Sequence, residues 1–164
     1  MGTIASFAQL LSFSGSFTKA LDLTTPTEVL NISKSQTLAN GTGANQANQI
    51  WSDTRSVAAA PENLDLAAVL VDAFGDTLTF TKVKMLMVHN KSTTPGEDLT
   101  LSGNFVDNDM LGGADSTIVL GPGGICLLTS PVDGFTVTAT TGDILTVDPG
   151  AATIAYDVLI VGTV

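Results

Sequence analysis

Apolar and polar residues alternate through most of this chain, and the alternation predicts strands. From Leu11 to Phe17, the positions Leu11, Phe13, Gly15 and Phe17 alternate with Ser12, Ser14 and Ser16, the signature of a strand with one apolar face. A second strand is predicted around Val29 to Leu38, with Leu30, Ile32 and Leu38 on one face interrupted by Lys34 and Gln36. Thr24-Thr25-Pro26-Thr27 separates the two, because proline supplies no ladder donor. Asn40 to Gln49 reads as a polar loop, and Ile50-Trp51 opens a strand running toward Val57.

The middle of the chain is denser. Leu64 to Gly75 fits both helical and alternating templates, and the reading favours a short strand followed by a turn or a single helical turn ending near Gly75. Leu78 to His89 is the strongest strand. Val83, Met85 and Met87 fall on one face and Leu86 and Val88 on the other, so its second half is apolar on both sides and belongs in the middle of a sheet or beneath a partner. Ile118–Leu120 and Ile125–Leu128 flank the turn Gly121-Pro122-Gly123-Gly124, Phe135 to Thr140 alternates again, and Thr153 to Val161 is apolar on both faces. Three pieces share one turn-to-strand wording: Gly75-Asp76-Thr77-Leu78-Thr79-Phe80, Glu97-Asp98-Leu99-Thr100-Leu101 and Gly142-Asp143-Ile144-Leu145-Thr146-Val147. Their irregular spacing excludes a solenoid repeat. Eight to ten short strands punctuated by turns predict an all-β fold, an antiparallel, jelly-roll-like β-sandwich. The expected organisation is a single domain over residues 1–164, with 1–10 as an extended N-terminal arm.

Composition sharpens the picture. Only 13 % of the 164 residues are charged, and the net charge is −10, so the clustered cations that nucleic acid or an anionic membrane requires are missing and neither is an expected partner. The exposed faces are instead Thr, Ser, Asn and Gly, which are easier to desolvate against a neighbour. No apolar run approaches the 18 or more residues of a membrane helix.

Candidate chemistry is sparse. His89 is the only histidine, which removes histidine-based triads and multi-histidine zinc sites, and it reads as a structural or rim residue. Cys126 lies in an apolar strand and reads as a buried thiol; a Cys126/His89 pair has no local motif behind it. The acid-rich stretch Asp107-Asn108-Asp109-Met110-Leu111-Gly112-Gly113-Ala114-Asp115 resembles a calcium loop only superficially. Leu111 stands at the fifth position and Ile118 at the twelfth, where oxygen ligands are needed, so a solvated loop is expected. Asn40-Gly41-Thr42-Gly43-Ala44-Asn45 lacks the Lys-Ser/Thr of a phosphate cradle, and the acceptor sequons at Asn31, Asn40 and Asn90 are at chance level in a chain so rich in Ser and Thr. Trp51 and Tyr156 could stack on a sugar, but Trp51 reads more readily as core or subunit interface. No catalytic, cofactor-binding or metal-ligating residue is assigned.

The wording of the chain carries a resemblance. Asn40-Gly41-Thr42-Gly43-Ala44-Asn45-Gln46-Ala47-Asn48-Gln49 through Trp51-Ser52-Asp53-Thr54-Arg55, then Leu64-Asp65-Leu66 and Asp72-Ala73-Phe74-Gly75-Asp76-Thr77-Leu78-Thr79-Phe80-Thr81-Lys82-Val83-Lys84, resembles small virion structural proteins of tailed bacteriophages. The likeness continues through Asn90-Lys91-Ser92-Thr93-Thr94, Gly121-Pro122-Gly123-Gly124 and Thr141-Gly142-Asp143. It is most similar to capsid decoration, or cement, proteins. The resemblance implies a non-enzymatic structural protein on the outer surface of the capsid, bound across neighbouring major capsid subunits and assembled as a homotrimer. A tail or fibre module that binds a receptor or glycan is the alternative, and a small glycan-processing enzyme with two converging acids is a weaker third.

Overall fold

The computed structural model describes residues 4–164, and the fold is all-β. Twelve strands follow in order: β1 (Ser6–Thr18), β2 (Thr27–Asn40), β3 (Gln46–Ala47), β4 (Gln49–Ala58), β5 (Glu62–Asp65), β6 (Lys82–Asn90), β7 (Leu99–Ser102), β8 (Ile118–Leu120), β9 (Ile125–Thr129), β10 (Phe135–Thr136), β11 (Ile144–Asp148) and β12 (Thr153–Thr163). A single π-type helical turn, Val106–Met110, interrupts them.

Three sheets result. The order β10-β6-β12-β4 defines the first, with β9 pairing the same edge of β6 as β10 but farther along; β5-β11-β7-β8 forms the second. Both are antiparallel, and inward residues of both share one apolar cluster, including Val57, Leu86, Val88, Ile154, Val158 and Ile160 from the first and Leu64, Leu99, Leu101, Leu145 and Val147 from the second. The turn at Gly121–Gly124 joins β8 to β9 and so carries the chain from one sheet to the other. Gly123 sits there at φ +72, and the amide of Gly124 donates to the carbonyl of Gly121 at 2.8 Å.

β1, β2 and β3 form the third sheet: β3 pairs parallel with the end of β2, and β1 and β2 make a long antiparallel hairpin whose register runs from Ser6↔Ala39 to Thr18↔Thr27. Its tip is closed by hydrogen bonds from the Lys19 amide to the Pro26 carbonyl and from the Leu21 amide to the Thr24 carbonyl. Only its base is buried: Phe7 and Leu38, with Ala47 of β3, pack with Met85, Leu159 and Val161 on the outer face of β6 and β12 and with Leu127 of β9. Beyond that base almost every residue of the hairpin is exposed. The extended arm expected over residues 1–10 falls partly outside the described residues, and from Ser6 onward the chain is a paired strand that continues to Thr18.

Central placement of β6 and β12 follows from their apolar faces, as their patterns predict. Grouping Val83 with Met85 and Met87 is corrected by the register. Against β12 the pairing steps from Val161↔Met85 to Gly162↔Val83, so Lys84 is an extra residue that reverses the side-chain alternation. Val83 therefore joins Leu86 and Val88 in the main core, whereas Met85 packs under the hairpin base. The backbone that starts the strand was also expected earlier: Leu78 to Phe80 lies outside β6, which begins at Lys82. Leu78 and Phe80 are nevertheless buried, with their amides donating to the carbonyls of Leu70 and Leu66. Of the three similar turn-to-strand pieces, two become β7 and β11 and the first does not form a strand. The ambiguous segment resolves into β5 and a turn over residues 66–69, with no helix.

Gly162 stands where the bulge brings two backbones together. A side-chain carbon there would collide with the carbonyl oxygen of Lys82 and press on the ring of Phe80. Overpacking of this kind costs about 1–3 kcal/mol. Gly162→Ala is expected to lower the thermal midpoint by several degrees, whereas Gly121→Ala, whose added carbon meets only Asp98 Oδ1 at 3.8 Å, leaves it within about a degree. Equal midpoints for the two variants would contradict the close approach.

Candidate binding surface

One cluster of titratable side chains reaches from the surface to the buried Tyr156. Arg55 on β4 and Tyr156 on β12 face each other in register. Glu62, at the start of β5, meets both: Arg55 Nε donates to Glu62 Oε1 at 2.9 Å and the Tyr156 hydroxyl donates to Glu62 Oε2 at 2.7 Å. Arg55 Nη1 also donates to Asp53 Oδ2 at 2.9 Å. The Arg55 contact holds the Glu62 carboxyl below its usual range and raises the Arg55 guanidinium, while burial, followed by the hydrogen bond to Glu62, pushes the Tyr156 phenol up. Every group is thereby locked in its ordinary ionisation state. This is a clip between the two main sheets, since β4 and β5 belong to different ones, and not an acid–base pair.

His89 and Cys126 occupy adjacent strands, but the register separates them. Cys126 pairs with Val88 and faces the core with it, whereas His89 pairs with Ile125 on the opposite face. Burial raises the Cys126 thiol, so it is held protonated. His89 Nδ1 lies 3.5 Å from Asp157 Oδ2, and the same carboxylate accepts from Thr54 Oγ1 at 2.6 Å and Lys91 Nζ at 3.1 Å, contacts that lower its pKa in that order. No Cys/His dyad is assembled.

The acid-rich stretch is partly folded, contrary to the expected solvated loop. Phe105 and Val106 are core residues that anchor the helical turn Val106–Met110, and Asp107 Oδ1 accepts from the Ser116 amide at 2.7 Å. Desolvation raises Asp109. Among the described residues no group of three His, Cys, Asp or Glu side chains is placed to hold a metal ion.

Of the five polar or charged residues buried among those described, none of which the sequence marks as buried, Asn90 and Lys84 hold neighbouring segments together. Asn90, within a sequon, is fully buried: its Nδ2 donates to the carbonyls of Glu97 and Leu120, both at 2.9 Å, and its Oδ1 accepts from the Ser92 amide. It ties β6 to the end of β8 and to the loop that precedes β7. Lys84, at the bulge, lays its stem along the protein and donates from Nζ to the Val132 carbonyl at 2.7 Å; desolvation lowers its pKa. Nothing local in the sequence marks either residue.

What the surface offers instead is apolar area. A groove of about 480 Å³ opens between the hairpin base and the body, bordered by Ile4, Phe7, Ile50, Trp51, Val71 and Phe74. Trp51 is buried in its wall, whereas Phe74 is 80 % exposed at its lip. The Gln49 side chain also lines the groove, and its buried Oε1 has no hydrogen-bond partner. Tyr156 is fully buried, so it offers no ring face to a sugar. The hairpin presents Leu10, Phe13, Phe17, Val29 and Leu30 to solvent, with Phe13 54 % and Phe17 76 % exposed. Comparison with known proteins adds no relative: no family model, no curated protein and no solved structure matches this chain.

The Arg55–Glu62–Tyr156 clip makes a pH-dependent contribution whose sign is fixed by Glu62. A carboxyl whose folded pKa lies below the ordinary 4.5 stabilises the fold above that pH, and the stabilisation is lost as pH falls through the depressed value. Glu62→Gln is expected to cost about 1–2 kcal/mol at pH 7, a figure reduced from that of a fully buried charged hydrogen bond because Arg55 and Glu62 are partly exposed. The difference in thermal midpoint from the unsubstituted chain should shrink as pH falls from 6 to 3. A constant difference across that range would contradict the assignment.

Proposed function

We propose that this chain is a structural protein of a tailed-phage particle, a decoration protein that lies on the outer surface of the capsid and binds across neighbouring major capsid subunits. The observation that carries the reading is the exposed hairpin together with the groove at its base. Apolar residues that the chain does not cover itself suit adhesion, and the polar clusters are occupied in holding the fold. The wording of the sequence supplies the capsid as the partner. In this reading the two main sheets form a jelly-roll-like sandwich, the protein has no enzymatic role, and copies associate with one another on the shell, as a trimer according to the resemblance.

The mechanism is thermodynamic linkage. A protein that binds the assembled shell but not the free subunit adds its binding free energy to the closed state. Charge is a minor contributor, because exposed ion pairs are worth about 0–1 kcal/mol each while buried apolar area contributes about 25 cal/mol per Å².

Heads lacking this protein are expected to assemble and to release DNA at a lower temperature than complete heads, and adding the purified chain back is expected to restore much of the loss even near 0.5 M salt, where exposed charges are screened to about 4–5 Å. Equal release temperatures would remove the decoration role. Rescue confined to low salt would show that charge, and not apolar burial, holds the protein in place. Density for the chain on the tail of the imaged particle would assign it to the tail or fibre alternative.

A further inference from the structure

The hairpin beyond its base has two unlike faces. Cross-strand partners share a face, so Leu11/Lys34, Phe13/Ile32, Gly15/Leu30 and Phe17/Glu28 line one side, and Leu10/Ser35, Ser12/Ser33, Ser14/Asn31 and Ser16/Val29 the other. An antiparallel ribbon with one apolar and one Ser-rich face is patterned for covering on one side. A two-stranded ribbon with nothing on that face is marginal in water.

Charge and shape identify what fits. Lys19 and Lys34 balance Asp22 and Glu28 within the hairpin, so the net charge of −10 resides wholly in the rest of the chain. Two copies meeting through their hairpins keep their acidic bodies apart, whereas body-to-body contact brings them together. The order of residues along the apolar face is also self-complementary about its middle. A twofold axis crossing the strands at Ser14 and Asn31 relates position 13 to 15, 11 to 17, 30 to 32 and 28 to 34. It sets Phe13 against the bare backbone of Gly15, where nothing lies within 4 Å, Leu11 against Phe17, Leu30 against Ile32, and Glu28 against Lys34. Each row of this arrangement is apolar against apolar or cation against anion. A parallel arrangement about a rotation axis running along the arms, as in a trimer, sets Lys34 beside Lys34 and Glu28 beside Glu28.

We infer that the hairpin is a self-association arm that packs face to face and antiparallel on the same arm of a second copy. The nine rungs beyond the base, Leu10 to Thr18, at about 3.4 Å each and roughly 10 Å across, offer on the order of 300 Å² per copy. The ribbons alone thus bury about 600 Å² in the pair, a small interface, and the tip has to add the rest. The same register carries the tip, where Leu21 is half exposed and Leu23 is 98 % exposed, to the level of Phe7 and Ala5, which border the partner's groove. The pairing claims the same arm and groove on which the virion reading rests, but it is decided on the free protein, whereas that reading is decided on particles.

Sedimentation equilibrium of the purified full-length chain tests it. A dimer or another even-numbered assembly is expected at micromolar concentration, with Phe13→Ser/Ile32→Ser weakening association by about 100-fold or more. Leu10→Ser/Val29→Ser, on the opposite face of the same ribbon, should leave it within about twofold and so controls for lost strand propensity. Lys34→Glu should weaken association about tenfold, and Glu28→Lys/Lys34→Glu should restore it, since the paired charges are exchanged. A monomer at all concentrations, a trimer, or an assembly insensitive to Phe13→Ser/Ile32→Ser overturns the inference. Apolar sensitivity without any effect of Lys34→Glu overturns the antiparallel register.

Discussion

A strand that is apolar on both faces must be covered twice, and β6 imposes this constraint on the molecule. Its inner face, Val83, Leu86 and Val88, is closed by the second main sheet across the core. Its outer face is closed by something quite different, the hairpin base with β3, through Phe7, Leu38 and Ala47 upon Met85, Leu127, Leu159 and Val161. The bulge at Lys84 lets one strand serve both clusters, because it sends Val83 inward while Met85 points out. Gly162 on the neighbouring strand accommodates the close approach that the bulge creates.

That solution leaves a remainder. Anchoring the hairpin uses only its first rungs, and the rest of a ladder thirteen pairs long continues past the body with its apolar face open. The two-faced apolar strand itself offers little surface for association: the outer face of β6 is covered within the chain, and the longest run of exposed apolar residues lies on the arm. The chain's charge follows the same division, with a neutral arm and an acidic body. Adhesion through the arm would be governed by apolar burial, with charge setting direction and register more than affinity.

Strand content was legible because apolar and polar side chains alternate along β1 and β2 and burial alternates along most of β12, and a period of two records it directly. Leu78 to Phe80 shows the limit. These residues are buried in alternation, yet their amides bond to the carbonyls of Leu70 and Leu66 instead of a ladder, so the pattern reports burial and not pairing. The role of Lys84 was illegible because a bulge is a property of register between two strands, and β12 lies more than sixty residues away. For the same reason the Arg55–Glu62–Tyr156 clip could not be read from spacing. Phe105 and Val106 were hidden by the acidic residues that follow them, although they anchor the helical turn in the core. The strands of the arm were predicted with their apolar face, but alternation looks the same whether that face is covered by the chain's own core or by another molecule.

Amide hydrogen exchange across a dilution series measures most directly whether the arm is completed by a second copy. A ribbon with an uncovered face opens readily, whereas one packed against a second sheet is protected by the free energy of association. Amides of residues 10–17 and 28–35 should therefore be protected at high protein concentration and lose that protection on dilution, while those of β6 and β12 exchange at one slow rate throughout. Arm amides that exchange at the same rate at every concentration would contradict the account.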